Sequence, residues 1–265
     1  MLGFGRKKTI GKPSTEEGDR IYAIGDVHGR LDLLAELLNR IEAHSDSLPT
    51  PRNLHIIQLG DLIDRGAHSA EVLRFAYEAQ QKTDRFVVLQ GNHEYLLLRA
   101  LSGERGMLRA WMRTGGRQTL ESFGIVPPER GADEEAAIAQ IKRAIPAYLL
   151  SWIENLPLTA QSGDYFFCHA GIRPGVALKR QSRDDLLWIR DQFLEDTTPH
   201  PAVIVHGHTV TEEVELRPNR IGIDTGAYES GVLSALYLEG TEREIIATTS
   251  ATPTLDSVAP AAWAS

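Results

Sequence analysis

The sequence has very little cysteine, with Cys168 as its single example in 265 residues. One cysteine excludes a disulfide scaffold and a zinc site made of several thiolates, and it fits a reducing compartment. Long apolar runs are missing too: no stretch approaches the roughly 20 residues of a membrane span, and the N-terminus lacks a signal-peptide core. We therefore expect a cytoplasmic protein with no membrane partner.

Positive charge is also scarce, because 28 Lys and Arg residues face 36 Asp and Glu residues, for a net charge of −8. This balance argues against a general nucleic-acid binder, which needs a basic face. Nine histidines accompany the single cysteine, so nitrogen and oxygen atoms would hold any metal ion. The length suffices for one large domain with a substantial core.

Composition separates two loose ends from a central domain. Residues 1–18 include a basic, glycine-containing head, and residues 249–265 are rich in Ala, Thr, Ser and Pro. Both segments are predicted to be flexible tails. The domain is predicted over residues 19–248, and its part at 95–157 is predicted to be a mostly helical cap.

Apolar runs alternate with helical spacing in the first half of this domain. Strands are predicted at 20–24, 54–59 and 86–90, each followed or ended by a glycine, with amphipathic helices between them. Such a βαβαβ order predicts an α/β fold with a largely parallel sheet. Further strands are predicted after the cap at 165–168, 202–205, 220–223, 232–238 and 244–247.

Polar motifs stand at the ends of five predicted strands. They read GDVHG at 25–29, GDLIDRG at 60–66, GNHE at 91–94, HAG at 169–171 and HGHT at 206–209. Sites in open α/β sheets form beyond the carboxyl ends of the strands. Carboxylate, imidazole and amide groups suit divalent Mn, Fe or Zn. Too many are gathered for one tetrahedral site, which favours a two-metal centre.

Taken in order, the five motifs resemble those of the phosphoprotein phosphatases, which are calcineurin-like metallophosphoesterases acting on phosphoserine and phosphothreonine. The resemblance covers roughly residues 20–240, and the compact length is similar to that of the bacterial and bacteriophage branch. It implies a central β-sandwich of mixed sheets, flanked by helices and carrying a helical cap insertion.

The resemblance also implies roles for ten residues. The implied metal ligands are Asp26, His28, Asp61, Asn92, His169 and His208. Asp61 would bridge two divalent ions, which we expect to be Mn²⁺, with Fe or Zn as alternatives. His93 matches the general acid, and Asp64 orients it. Arg65 matches a phosphate-binding arginine, and Arg190, in the WIR sequence at 188–190, matches a second one.

These roles predict a metal-dependent serine/threonine protein phosphatase acting on a phosphoprotein or phosphopeptide. Two cations lower the pKa of a bridging water, so that hydroxide attacks phosphorus in line while an imidazolium protonates the leaving oxygen. The alternative is a dinucleoside polyphosphate hydrolase, such as a diadenosine tetraphosphatase, in which the third motif typically reads GNHD. Glu94 and the intact DRG at 64–66 favour the phosphatase. A third hypothesis, a catalytically silent binding module, is disfavoured by the complete set of site residues.

Four other features are interpreted without a catalytic or metal-binding role. The segment at 111–120, WMRTGGRQTL, is assigned to the cap as a mark of subfamily. His206 is interpreted as a structural residue or one that orients its neighbours. Asp224 is expected to be structural, and Tyr228 is expected near the rim of the site.

Overall fold

The computed structural model describes residues 12–129 and 131–249. Within these residues ten strands form two five-stranded sheets. The strands are β1 (Asp19–Ile24), β2 (Asn53–Gln58), β3 (Phe86–Val88), β4 (Thr159–Ser162), β5 (Tyr165–Cys168), β6 (Val203–His206), β7 (Glu215–Leu216), β8 (Arg220–Gly222), β9 (Ser234–Glu239) and β10 (Glu242–Ala247).

Both sheets are mixed, and parallel strands lie at the centre of each. The first has the order β10-β9-β1-β2-β3, in which β1, β2 and β3 run parallel and β9 and β10 run antiparallel. The second has the order β4-β5-β6-β8-β7, with β5, β6 and β8 parallel. The predicted βαβαβ unit and the sandwich of mixed sheets are confirmed.

Ten α-helices of the described chain flank the sheets. They are α1 (Leu31–Asp46), α2 (Ser69–Lys82), α3 (Asn92–Leu101), α4 (Met107–Trp111), α5 (Arg117–Ser122), α6 (Glu134–Ala144), α7 (Ala147–Glu154), α8 (Arg183–Trp188), α9 (Asp191–Leu194) and α10 (Ala227–Ser230). The stretch between β3 and β4 is helical, and a kinked segment at Met112–Gly116 joins α4 to α5. None of the described helices is long and apolar enough to cross a membrane.

Alternation along the strands creates the core between the sheets. Ile21 and Ala23 of β1 pack in one buried cluster with Tyr165 and Phe167 of β5. The intervening Tyr22 belongs to the cluster under the helices. Successive side chains of a strand point to opposite faces, so the apolar runs are buried on both sides. This packing brings the carboxyl ends of the parallel strands of both sheets to one edge.

The predicted tails lie largely outside the described residues, which leave out 1–11 and 250–265. Two residues of the predicted N-terminal tail are nevertheless held in place. The Thr15 N–H donates to the Gly240 carbonyl at 3.0 Å, and the Ser14 carbonyl accepts from Asp164 N–H at 2.8 Å. This part of the predicted tail is therefore hydrogen-bonded to a turn of each sheet.

Candidate metal centre

The strand-end motifs of the two sheets meet in one buried cluster. Asp26 and His28 follow β1, Asp61 follows β2, and Asn92 begins α3 directly after β3. From the second sheet, His169 follows β5 and His208 follows β6. All six side chains are buried. The order of the motifs along the chain thus becomes a compact set of oxygen and nitrogen atoms.

Asp61 stands at the centre of this set. Its Oδ2 lies 3.6 Å from His28 Nε2, and its Oδ1 lies 3.5 Å from His169 Nε2. Two groups of ligand atoms, His28–Asp61–His93 and Asp61–His169–His208, each fall within 4.8 Å of one another. Since Asp61 belongs to both groups and offers a different oxygen to each side, it is placed to bridge two ions.

Asn92 and Asp26 complete the arrangement on either side of Asp61. The Asn92 Oδ1 atom lies 2.7 Å from His169 Nε2 and 2.8 Å from His208 Nδ1. Asp26 accepts a hydrogen bond from the His208 backbone N–H at 3.1 Å. All six sequence-predicted ligands therefore come together.

Backbone carbonyls fix the orientation of two imidazoles. His28 Nδ1–H donates to the Ile63 carbonyl at 2.8 Å, and His169 Nδ1–H donates to the Leu59 carbonyl at 2.9 Å. The Nε2 atom of each ring then keeps a lone pair directed toward Asp61. Burial lowers the pKa of His28 to about 3 and also lowers the pKa of His169. Both rings are neutral near pH 7, which is the form that binds a metal ion.

The raised pKa of Asp26 indicates that added positive charge would stabilise the ionised carboxyl groups of the cluster. Burial, together with the charges of Asp224 and Asp61, raises the pKa of Asp26 well above its usual range. Burial would also raise the pKa of Asp61, but His169, His93 and His28 outweigh it and hold this pKa below its usual range. Divalent cations would relieve the repulsion among the buried carboxylates. The donor set fits two such ions.

His93 differs from the other imidazoles of the site. Its Nδ1 lies 2.6 Å from Asp64 Oδ2, while its Nε2 lies 3.8 Å from Asp61 Oδ2. Burial alone would lower the pKa of His93, but the charge of Asp61 and the hydrogen bond to Asp64 raise it to about 9. An imidazole held as a cation is a proton donor and has no lone pair for a metal. This arrangement favours an acid role over a ligand role.

The two predicted phosphate-binding arginines are associated with different histidines of the ligand cluster. The Arg65 guanidinium sits 4.2 Å above the Tyr228 ring, which lies 5.4 Å from the His28 ring. Arg190 is exposed between α8 and α9. Burial is the main cause that lowers the pKa of His208, and the Arg190 charge acts in the same direction. Arg65 is thus associated with His28, and Arg190 with His208.

Glu94 is a structural residue of the site's loops. Its buried carboxylate accepts hydrogen bonds from the N–H groups of Asp61, Leu62, Ile63 and Gly91, at 2.9, 2.8, 3.3 and 2.9 Å. The position that separates GNHE from GNHD therefore acts on the loop backbone. Its identity is poor evidence about the substrate.

Two residues without a predicted role in the site contact Asp64. Trp111 and Thr119, assigned only to the cap, both donate hydrogen bonds to Asp64. Asp224, expected to be structural, lies beside Asp26, and the two side chains are hydrogen-bonded to each other. The signal available for Trp111 was its place before the paired glycines at 115–116.

His206 lies outside both groups of ligand atoms. Its ring is buried against the Phe193 ring, with the two centroids 5.0 Å apart, and its Nδ1 lies 3.0 Å from the Gly207 carbonyl oxygen. These contacts fit the structural interpretation made from the sequence.

Comparison with known proteins defines the class. The chain belongs to the calcineurin-like phosphoesterase family, which it matches over residues 19–230. It is a metallophosphoesterase, an enzyme that hydrolyses phosphoesters.

Relatives of two kinds share most of its length. The chain is 27% identical over 229 residues to the asymmetrical bis(5'-nucleosyl)-tetraphosphatase PrpE of Halalkalibacterium halodurans, covering 80% of this chain and 87% of the relative. It is 27% identical over 226 residues to serine/threonine-protein phosphatase 2 of Escherichia coli, covering 81% and 90%. A protein serine/threonine phosphatase structure from Saccharomyces cerevisiae has the same fold, with a TM-score of 0.55 at 14% identity, over 92% of this chain and 86% of that one.

Proposed function

We propose that this chain hydrolyses dinucleoside polyphosphates, at a centre that holds two divalent cations. Mn²⁺ is the first candidate ion, with Fe or Zn as alternatives. The observation that carries the proposal is an exposed aromatic face beside the metal ligands: the Trp188 ring centroid lies 6.3 Å from that of His208, and 37% of the residue is exposed. Nucleobases stack on such faces with about 1–3 kcal/mol per base.

The arginines support a substrate with several phosphates. Arg65 lies beside Tyr228 and His28, whereas Arg190 follows Trp188 toward His208. Guanidinium groups near different histidines of the cluster suit a substrate in which several phosphate groups follow one another.

The chain's own residues supply orientation and a proton. Cations held by the six ligands would activate water and offset the charge of the phosphoryl group. Arg65 and Arg190 would bind phosphate oxygens, and His93 would donate the proton from Nε2 to the leaving oxygen. Asp64 accepts from His93 Nδ1 and keeps that ring in place.

The alternative of the sequence analysis is thus preferred over its main interpretation. Glu94 was one of the two sequence features that favoured a protein phosphatase. Its carboxyl group binds backbone N–H groups of the loops, so its identity does not report on the substrate. Similarity to the tetraphosphatase of H. halodurans over 87% of its length supports the dinucleotide substrate. A serine/threonine protein phosphatase remains the second candidate, supported by the equal identity to the E. coli enzyme.

A substrate comparison tests the proposal directly. The protein loaded with Mn²⁺ is assayed with diadenosine tetraphosphate and with a phosphoserine peptide at equal concentrations. We expect the dinucleotide to have the larger kcat/KM. Exclusive or preferred hydrolysis of the phosphopeptide would establish the second candidate instead.

Trp188→Ala tests the base-stacking part of the proposal. We expect kcat/KM for diadenosine tetraphosphate to fall about 5- to 160-fold, equivalent to about 1–3 kcal/mol, mainly through KM. Tripolyphosphate, which has no base, should be affected little. Tyr148→Ala, which removes an exposed ring of the cap, is the matched control and should leave both activities unchanged. An equal loss on both compounds in Trp188→Ala would show that no base stacks there.

A further inference from the structure

The helical cap reaches the carboxylate that pairs with His93. Trp111 Nε1–H lies 3.0 Å from Asp64 Oδ1 and 2.9 Å from Oδ2, and the Thr119 hydroxyl donates to Oδ1 at 2.6 Å. His93 Nδ1 occupies the remaining side, 2.6 Å from Oδ2. All four side chains are buried. Three donors thus converge on one carboxylate, and two of them come from the cap.

Paired glycines allow the cap to come this close. A Cβ atom on Gly116 would lie 2.5 Å from the Trp111 ring, so a larger residue would displace the indole. Gly115 has a φ of +118°, and a Cβ there would lie 2.6 Å from the Arg65 backbone nitrogen. The Gly115 carbonyl accepts from Arg65 N–H at 3.3 Å. The chain therefore kinks at Gly115, between α4 and α5, and the kink lies directly against the Arg65 backbone.

We propose that Trp111 and Thr119 are positioning residues for proton transfer by His93, an inference that rests on the proposed roles of His93 and Asp64. Their hydrogen bonds hold the Asp64 carboxylate in one orientation. The carboxylate in turn holds the proton on His93 Nδ1 and directs Nε2 toward the reacting phosphate. Neither residue touches the metal ligands or the substrate in this assignment.

The geometry favours positioning over simple anchoring of the cap. Anchoring needs one contact with any part of the neighbouring loop, whereas both cap side chains converge on the single carboxylate that carries His93. Thr119 also accepts the Asp64 backbone N–H at 2.9 Å, so it fixes the main chain and the side chain of the same residue. Partners of this kind, which act through another residue, typically change activity by about 10- to 100-fold.

The kinetic test uses two phosphate esters that differ in their need for an acid. p-Nitrophenolate leaves readily without a proton, and phenolate depends more on protonation. We expect Trp111→Phe and Thr119→Val each to lower kcat/KM for phenyl phosphate about 10- to 100-fold, through kcat, with a much smaller loss on p-nitrophenyl phosphate. Thr119→Ser, which keeps the hydroxyl, should restore most of the activity.

Matched controls remove the same groups elsewhere. Trp152→Phe deletes an indole N–H that donates to Gln80 Oε1 at 3.0 Å, and Ser151→Ala deletes a hydroxyl at an exposed position of α7 in the same cap. Both should behave like the unmodified chain. In the background of Asp64→Asn, Trp111→Phe should cause no further loss, because residues that act through a shared partner are not additive. Equal losses on the two esters, or full additivity with Asp64→Asn, would overturn the proposal.

A spectroscopic readout is independent of turnover and of the natural substrate. In metal-free protein with ¹⁵N-labelled tryptophan, the Trp111 indole N–H signal should shift when Asp64 becomes Asn, while the Trp152 signal should stay in place. An unshifted Trp111 signal would refute the hydrogen bond itself. If the indole shifts as expected but neither dinucleotide nor phosphopeptide is cleaved, the proposed function fails while the contact stands.

Discussion

At the residue scale, the site is built on unusual backbone conformations. Among the described residues, the non-glycine positions with positive φ are His28, Asp61, Asp64, Arg65 and His208, at +45° to +73°. Each belongs to the proposed ligands, catalytic pair or phosphate-binding groups. Such conformations cost about 1–3 kcal/mol each. The surrounding contacts must supply this free energy, so the geometry of the site opposes local backbone preference.

His93→Asn tests the acid role at this scale. We expect kcat to fall by about 10²–10⁴-fold, because the leaving oxygen loses its proton donor, while bound metal is retained. Steady-state kinetics and elemental analysis provide the two measurements. His55→Asn, a half-buried histidine of β2, is the control and should keep full activity. Full activity in His93→Asn would remove this residue from the chemistry.

The site residues that could be predicted from the sequence are those that lie close to the end of a predicted strand. Asp26, Asp61 and Asn92 each lie within four residues of a strand end, and parallel strands bring those ends together. The contact between Trp111 and Asp64 joins residues 47 positions apart. It depends on how the cap docks and on the kink at Gly115, and neither leaves a periodic pattern in the sequence.

At the element scale, α3 connects two loops through one side chain. The helix begins at Asn92, and Glu94 in its first turn accepts from backbone N–H groups after β2 and after β3. An aspartate has one methylene less and cannot reach all four donors. The residue that distinguishes the third motif from GNHD is therefore under a structural constraint.

Glu94→Asp should lower the free energy of unfolding by about 1–3 kcal/mol, because the shorter side chain leaves some of the buried N–H groups without an acceptor. We expect weaker metal binding as well, since Asp61 belongs to the loop that Glu94 holds. The ratio of kcat/KM for dinucleotide to that for phosphopeptide should not change. Denaturant unfolding and the two assays measure this, with the exposed Glu121→Asp as control. A switch in substrate preference would mean that the Glu94 side chain contacts substrate.

Eight of the ten described strands could be predicted closely, whereas β4 and β7 were not predicted, and the order in which strands pair could not be predicted either. The predicted strand at 20–24 is observed at Asp19–Ile24, and the one at 165–168 is observed there. Apolar runs bounded by glycine supply enough local information for this. That β9 pairs antiparallel with β1, next to β2, follows from tertiary packing of distant segments. No local pattern specifies it.

At the scale of the whole molecule, the candidate metal centre joins the two sheets. Asp61 comes from the first sheet and His169 from the second, and their side chains lie 3.5 Å apart. Cations bound there would connect the sheets at one edge. Metal binding is therefore expected to stabilise the entire domain.

Adding Mn²⁺ to metal-free protein should raise the midpoint of thermal unfolding. At a free concentration about 100 times Kd the gain is about 2.7 kcal/mol, or roughly 5–10 °C for a chain of this length. Asp61→Asn should abolish the shift, and Asp46→Asn, at the exposed end of α1, should keep it. An unchanged shift in Asp61→Asn would place the cation elsewhere.

The opposite edge of the first sheet is held by a buried charge. Arg20 is only 1% exposed, and its Nε–H donates to Glu239 Oε2 at 2.7 Å. Burial would raise the pKa of Glu239, but hydrogen bonds from Arg20 and Tyr237 outweigh it and lower this pKa. A carboxyl whose pKa is lowered on folding stabilises the protein above its unfolded pKa, about 4.3, and loses this contribution as pH falls through the folded value.

Glu239→Gln should therefore lower the free energy of unfolding at pH 7 by about 1–3 kcal/mol, toward the lower end because Glu239 is partly exposed. The difference from the unmodified chain should shrink as the pH falls below about 4. Denaturant unfolding at the two pH values measures it. Glu242→Gln, an exposed glutamate at the start of β10, should cause little change at either. A difference independent of pH would mean that charge plays no part.

The distribution of the ligands along the chain has a consequence for biosynthesis. Asn92 and His208, whose side chains meet at 2.8 Å, are 116 residues apart, and β1 pairs with the late strand β9. The first half of the polypeptide therefore leaves the ribosome with an unfinished sheet and with four of the six proposed ligands. The proposed second ion site is complete only after His208, in the last third of the chain, has been synthesised. A prematurely terminated product would consequently lack the whole centre's function, however well its own segments fold.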